Sequence, residues 1–215
     1  MKIVTISDTH GMHRSLNMPK GDVLIHAGDF SAHGTLENVR EFNDWLGTLD
    51  YLFIIVIAGN HELCLEQNQE EAEALFTNAI YLKDSSVVID GIKFYGSPWQ
   101  PWFFNWAFNL ERGAELKEKW DLIERDTDVL ITHGPPHGYL DKTMDHKHVG
   151  CGELIKAVHR VKPKLHVFGH IHSGYGIDKV GSTIVVNASS CTERYEPHNQ
   201  PIVVDIESDG QMRVI

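Results

Sequence analysis

Seven side chains able to hold divalent cations fall in five short clusters: Asp8-Thr9-His10, Gly28-Asp29, Gly59-Asn60-His61-Glu62, His133 and Gly169-His170-Ile171-His172. The candidate ligands are Asp8, His10, Asp29, Asn60, His133, His170 and His172. A carboxylate such as Asp29 can bridge two ions, one oxygen to each. Asn60 offers a neutral amide oxygen and the histidines offer imidazole nitrogens. Mixed O/N ligation without thiolate suits Mn, Fe, Zn, Ni or Co, with Mn the metal favoured for assays in vitro, rather than Cu(I) or an iron–sulfur cluster. Two such ions roughly 3.5–4 Å apart can clamp an in-line phosphoryl displacement and bring the pKa of a bound water to about 7. No protein nucleophile is then required, and the chain has neither a G-x-S-x-G elbow nor a G-x-x-x-x-G-K-[ST] loop. The expected chemistry is hydrolysis of a phosphoester by a hydroxide held between two cations.

His61, adjacent to Asn60, is expected to point away from the ion that Asn60 meets while staying near the site. There it could protonate the leaving oxygen or hydrogen-bond the phosphoryl group. Asp8 or Glu62 is expected to orient it, because a working imidazole needs a partner on its second nitrogen. The catalytic candidates are therefore His61 and Asp8, and the substrate-binding candidates Asn60, His61, Trp102 and Phe103. The last two belong to an aromatic run, WQPWFFNWAF at 99–108, that could wall a cleft and stack on a flat group.

Each cluster follows an apolar run, and parallel strands ending at one edge of a sheet deliver their loops to one crevice. Strands are expected at 2–7, 22–26, 51–58, 129–132 and 165–168. YLFIIVIA at 51–58 is apolar on both faces, as befits a strand covered on both sides. Leu36, Val39, Phe42, Leu46 and Leu49 recur at helical spacing and predict a helix over 36–49. Further helices are expected at 70–77, 111–125 and 151–161. Asp90-Gly91 between apolar runs predicts a hairpin. Strands at 177–180, 183–187 and 202–206 predict an antiparallel C-terminal part. The Asp8-x-His10 segment is expected to be extended, turning both side chains to one ion. A βαβα start and a β-rich end imply two packed sheets covered by helices.

With 215 residues, 42% hydrophobic and 23% charged, the chain is expected to form one domain over 1–215 with a full core. No stretch approaches the ~20 apolar residues of a membrane span, and no leader pattern opens the chain, so a cytoplasmic location and no membrane partner are expected. A formal charge of −11 argues against long nucleic acid as a partner, although a small phosphate remains compatible with local cations. Three widely spaced cysteines (Cys64, Cys151, Cys191) read as buried thiols, whereas 14 histidines are a surplus of the commonest metal ligand. Arg14, His137, His146, His148 and His198 read as solvated surface residues.

D-x-H, G-D, G-N-H-E, H and G-H-x-H in this order resemble the calcineurin-like metallophosphoesterases. GSPWQPWFFNWAFN (96–109), THGPPHGYLD (132–141), KPKLHVFGHIHSGYG (162–176) and VNASSC (186–191) are similar to the MPPED-type metallophosphodiesterases. The resemblance covers nearly the whole chain. It implies an α/β fold, a four-layer α/β/β/α sandwich of two mixed sheets flanked by helices, with a dinuclear metal centre. Asp8, His10, Asp29 and His172 would hold one ion; Asp29, Asn60, His133 and His170 would hold the other; His61 would be the catalytic histidine. Some members of that branch carry Gly at the first His of G-H-x-H; His170 here implies a complete second site. The implied substrate is a small phosphodiester, cyclic nucleotides included. The rival readings are a phosphomonoesterase, a protein phosphatase, a nuclease and a non-catalytic scaffold on the same fold. The scaffold is disfavoured because every site residue is present.

Overall fold

A computed structural model describes residues 1–207 and 210–215. In chain order its elements are β1 (Lys2–Ile6), β2 (Val23–His26), α1 (Leu36–Leu46), β3 (Phe53–Val56), α2 (Leu63–Gln67), α3 (Gln69–Glu73), β4 (Ile80–Tyr81), β5 (Ser85–Ile89) and β6 (Ile92–Ser97). There follow β7 (Gln100–Pro101), β8 (Asn109–Leu110), α4 (Ala114–Asp121), β9 (Val129–Thr132), α5 (Gly152–Val161), β10 (Leu165–Phe168), β11 (Gly176–Val180), β12 (Thr183–Asn187), β13 (Ile202–Ile206) and β14 (Met212–Val214). Two six-stranded sheets result, ordered β14-β13-β1-β2-β3-β4 and β11-β12-β10-β9-β6-β5.

Alternation along the strands explains the layering. Ile3, Val23, Ile25 and Ile55 face inward and meet Phe94, Val129, Ile131, Val167 and Val186 of the other sheet. Their neighbours Val4, Leu24, Ile54 and Val56 face outward and are covered by Val39, Phe42, Trp45 and Leu46 of α1. Leu130, Phe168 and Val185 face out of the second sheet onto Leu116 and Trp120 of α4 and Leu154 and Val158 of α5. The expected α/β/β/α sandwich is the observed one.

The site-bearing strands run the same way. β1, β2 and β3 are mutually parallel, as are β6, β9 and β10. Their C-terminal ends release Asp8, Asp29, Asn60, His133 and His170. The β5–β6 hairpin turns at Asp90 (φ 49°) and Gly91 (φ 80°), the doubly left-handed pair a tight Asp-Gly turn requires.

Several boundaries differ from expectation. α1 stops at Leu46, with Gly47 as its C-cap, although Leu49 still packs on the core. α4 starts only at Ala114, because Gly113 adopts φ 96°, outside the helical region. The helix expected at 70–77 is shorter and begins earlier, at Gln69–Glu73. The C-terminal part is not wholly antiparallel: β12 pairs with β11 and β13 with β14 antiparallel, but β12 lies parallel to β10. The β11–β12 hairpin docks through its second strand, which places Asn187 beside Phe168 at the site edge.

Phe42 is fully buried and stacks on Phe30 at 4.2 Å between ring centroids. Phe42→Ala is expected to cost about 3–5 kcal/mol in urea unfolding. A loss below about 1 kcal/mol would show that α1 is not clamped to the sheet in this way.

Candidate metal centre

All seven candidate ligands, together with His61, meet where the two sheets adjoin. Three groups each place their ligand atoms within 4.8 Å of one another: Asp8, His10 and His172; His10, Asp29 and His61; Asp29, His133 and His170. Asp29 and His10 each belong to two groups, so the groups form one continuous cluster. Asn60 joins through its amide oxygen, 3.0 Å from His133 Nε2.

The hydrogen bonds around the imidazoles show that the cluster fits cations. His133 Nδ1 meets the Ala27 carbonyl at 3.0 Å, and His172 Nδ1 meets the Thr192 carbonyl at 2.9 Å. A carbonyl only accepts, so both Nδ1 atoms are donors and the Nε2 atoms face inward, as in ligating histidines. His133 Nε2 then faces the Asn60 oxygen and, at 3.4 Å, Asp29 Oδ2. His172 Nε2 faces His10 Nε2 at 3.3 Å and Asp8 Oδ1 at 3.5 Å. This gathering of carboxylate, amide and imidazole groups requires positive charge among them, from cations or from protons on the imidazoles.

Protons on the imidazoles are one source of that charge. Burial pushes His133 and His172 down, but the Asp29 carboxylate beside the first and Asp8 beside the second outweigh it, leaving both at about 9. Burial likewise pushes Asp8 and Asp29 up. Hydrogen bonding and charge from His172 and His133 overcome it and hold both carboxyls well below their usual range. His170, dominated by burial, is pushed down to about 3 and is neutral.

The backbone is strained where four of the candidate ligands sit. Asp8 (φ 51°), His10 (φ 45°), Asp29 (φ 55°) and His170 (φ 65°) all lie in the left-handed region. The Asp8-to-His10 segment is therefore not extended as expected, yet both side chains still reach one group. Close approach excludes any side chain at two glycines. A Cβ at Gly169 would lie 1.9 Å from Asp8 Oδ2, and one at Gly59 would lie 2.3 Å from Asp29 Oδ1.

His61 is held differently from expectation. Its Nδ1 meets the Ala32 carbonyl at 2.9 Å, and its ring stacks on Trp106 at 4.2 Å. Neither Asp8 nor Glu62 hydrogen-bonds to its ring. Asp8 instead accepts from the His170 amide, at 3.0 Å to each oxygen, and from Ser189 Oγ at 2.9 Å. The fully buried Glu62 accepts from the amides of Gly59 (2.7 Å), Asp29 (2.8 Å) and Ser31 (3.0 Å) and from Ser31 Oγ (2.8 Å). Burial and the Asp29 charge push its carboxyl up to about 8, while those four donors favour the anion.

A cleft of about 520 Å³ opens over the cluster. Trp102 and Phe103 line it and are 58% and 45% exposed. Phe103 stands edge-on to His170 at 5.6 Å. Four contributors are not legible from residue type and spacing: Ala32, Ser189, Thr192 and Tyr195. Ser189 falls in the VNASSC stretch; the other three carry no sequence signal. The histidine surplus is partly structural. His26 pairs with Thr9 at 3.0 Å and His166 with Thr132 at 2.8 Å, both buried and, through that burial, pushed down to about 3. His13 packs on Phe42 and Trp45. Arg14, His137, His146, His148 and His198 are exposed, and all three cysteines are buried. No helix among the described residues is long and apolar enough to cross a membrane.

The four layers and the paired His/Asp groups define a phosphoesterase-type site suited to a dinuclear metal centre. The chain belongs to the calcineurin-like phosphoesterases, whose family model matches residues 1–174. It is 50% identical to human metallophosphoesterase domain-containing protein 1, covering 95% of this chain and 71% of that protein. In fold it is similar to a protein of Thermus thermophilus, with a TM-score of 0.66 at 14% identity over 100% of this chain and 97% of that one. It is also similar to an archaeal phosphodiesterase, with a TM-score of 0.55 at 20% identity over 100% and 99% of the two chains.

Ser189→Ala removes the hydroxyl that braces Asp8 and is expected to weaken Mn²⁺ binding about 10–100-fold. Competition with a chromogenic chelator measures this; a change below about threefold would show that Asp8 stands without it.

Proposed function

We propose that this protein is a two-metal phosphodiesterase acting on small diesters, cyclic nucleotides among the candidates. The observation that carries the reading is the convergence of carboxylate, amide and imidazole donors from both sheets at the floor of one cleft. Asp8, His10, Asp29 and His172 would hold one ion. Asp29, Asn60, His133 and His170 would hold the other, with Asp29 shared. Bound there, the cations supply a deprotonated water at neutral pH and offset the charge on the phosphoryl oxygens.

The protein's own part is positioning and proton movement. The Ala32 carbonyl fixes His61 Nδ1 as the donor, so Nε2 is the nitrogen left to face the cleft. Nε2 lies 3.9 Å from Asp29 Oδ2, beside the reacting centre. In its protonated form, His61 donates from Nε2 to the departing ester oxygen. Trp106 holds the ring plane by stacking, and the His61 amide donates to Asp29 Oδ1 at 2.8 Å, tying acid and shared ligand together. Asp8 acts as a ligand braced by Ser189, and its place in catalysis runs through His172 and His170 rather than through His61. Trp102 and Phe103 supply an apolar wall for the organic part of the substrate.

His61→Ala is expected to lower kcat for bis(4-nitrophenyl) phosphate by about 10²–10⁴-fold while Mn²⁺ stoichiometry stays near that of the parent. Loss of the ions in this variant would reassign His61 to the ligand set. Thorough chelation should abolish turnover and added Mn²⁺ restore it; full activity after demetallation would end the two-metal reading. Comparison with 4-nitrophenyl phosphate separates diester from monoester preference.

A further inference from the structure

The cleft has a second aromatic wall, which no candidate role yet includes. Tyr195 lies in the loop after Cys191. Its ring stands edge-on to His10 at 4.8 Å and to His172 at 5.6 Å. Phe103 stands edge-on to His170, which belongs to a different group, that of Asp29 and His133. The two aromatics therefore flank the cluster above different groups, and both line the cleft.

Tyr195 is held there against its own preference. Its φ is 58°, a left-handed conformation unfavourable for a bulky side chain. A tight turn imposes it: Tyr195 N donates to the Thr192 carbonyl at 2.8 Å, and Thr192 N donates to the Glu196 carbonyl at 2.9 Å. The same Thr192 carbonyl receives His172 Nδ1, so one turn both orients an imidazole of the cluster and sets the phenol ring beside it. Tyr195 is 50% exposed, so core packing does not explain the strain.

Charge around the cleft points the same way. Among the described residues lining it, Arg112 is the one lysine or arginine, and its guanidinium donates to the carbonyls of Gly150 (2.8 Å) and Val149 (2.6 Å). Asp145 and Glu193 also line the cleft. Carboxylates there repel the second negative charge of a phosphomonoester, whereas aromatic rings receive uncharged organic groups.

We propose that Tyr195 is a specificity-determining residue that receives the second ester substituent, so that the cleft selects phosphodiesters carrying a flat, uncharged group on each side of phosphorus. This rests on the phosphodiester reading above and narrows it to linear diesters, since a cyclic nucleotide joins both ester oxygens to one sugar and has no second substituent for Tyr195.

The test is calorimetric titration of the Mn²⁺-loaded protein with diphenyl phosphate, phenyl phosphate and inorganic phosphate. Tyr195→Ala is expected to weaken diphenyl phosphate about tenfold and to change the other two less than about twofold. Tyr195→Phe, which keeps the ring, should bind all three like the parent. Equal weakening of all three ligands by Tyr195→Ala would make Tyr195 a mere support for His10 and His172, and overturn the proposal. An unchanged diphenyl phosphate affinity, or a parent protein that prefers phenyl phosphate, would overturn it too. If the binding pattern appears but no phosphoester is turned over, Tyr195 keeps its role and the hydrolytic reading fails by itself.

Discussion

Asp8 and Asp29 are carboxylates with essentially no contact with solvent, set among imidazoles where the strands of both sheets end. A buried charge costs several kcal/mol unless opposite charge and hydrogen bonds compensate it. Most of the surrounding architecture can be understood as that compensation. The His170 amide and the Ser189 hydroxyl donate to Asp8, the His61 amide donates to Asp29, and His133 and His172 supply positive charge. The left-handed backbone at Asp8, His10, Asp29 and His170 adds about 1–3 kcal/mol of strain per residue, held in place by the packed sheets beneath.

Glu62 does for the loops what those contacts do for the ligands. Its carboxylate collects amides from the segments after β2 and β3, so the Asp29 and Asn60 loops are pinned to a common centre. Ser31 doubles the link, because its hydroxyl donates to Glu62 and accepts from the Gly34 amide. Replacing this carboxylate would leave three amides unpaired in the interior, each costing about 1–3 kcal/mol.

The proposed ligand set is legible in the sequence for a physical reason: metals demand particular donor atoms, and parallel strands deliver those atoms at strand ends. Asp8, Asp29, Asn60, His133 and His170 all satisfy both conditions. The layers are legible because inward and outward residues alternate, as Ile3 and Val4 do. What orients His61 is not legible, since the partner is the carbonyl of Ala32, and every residue has a carbonyl. Ser189 and Tyr195 reach the cluster only through the C-terminal strands. The pairing of β12 with β10 is likewise a tertiary choice, which strand patterning alone leaves open. Helix ends shifted where backbone geometry intervened, as at Gly113.

The donors come from loops of two sheets that pack through their apolar faces and touch again at the strand ends, where Ser190 N donates to the Ser7 carbonyl at 2.8 Å. Neither half of the sandwich holds all seven candidate ligands: Asp8, His10, Asp29 and Asn60 follow strands of one sheet, and His133, His170 and His172 follow strands of the other, so opening the sandwich takes donors from both proposed ions. Whatever affinity the folded protein has for its ions is then also a bond between the halves. Occupancy at 100 times the dissociation constant adds about 2.7 kcal/mol to the stability of the whole. Metal supply in the surrounding medium would thus set how long the molecule survives as well as how fast it works.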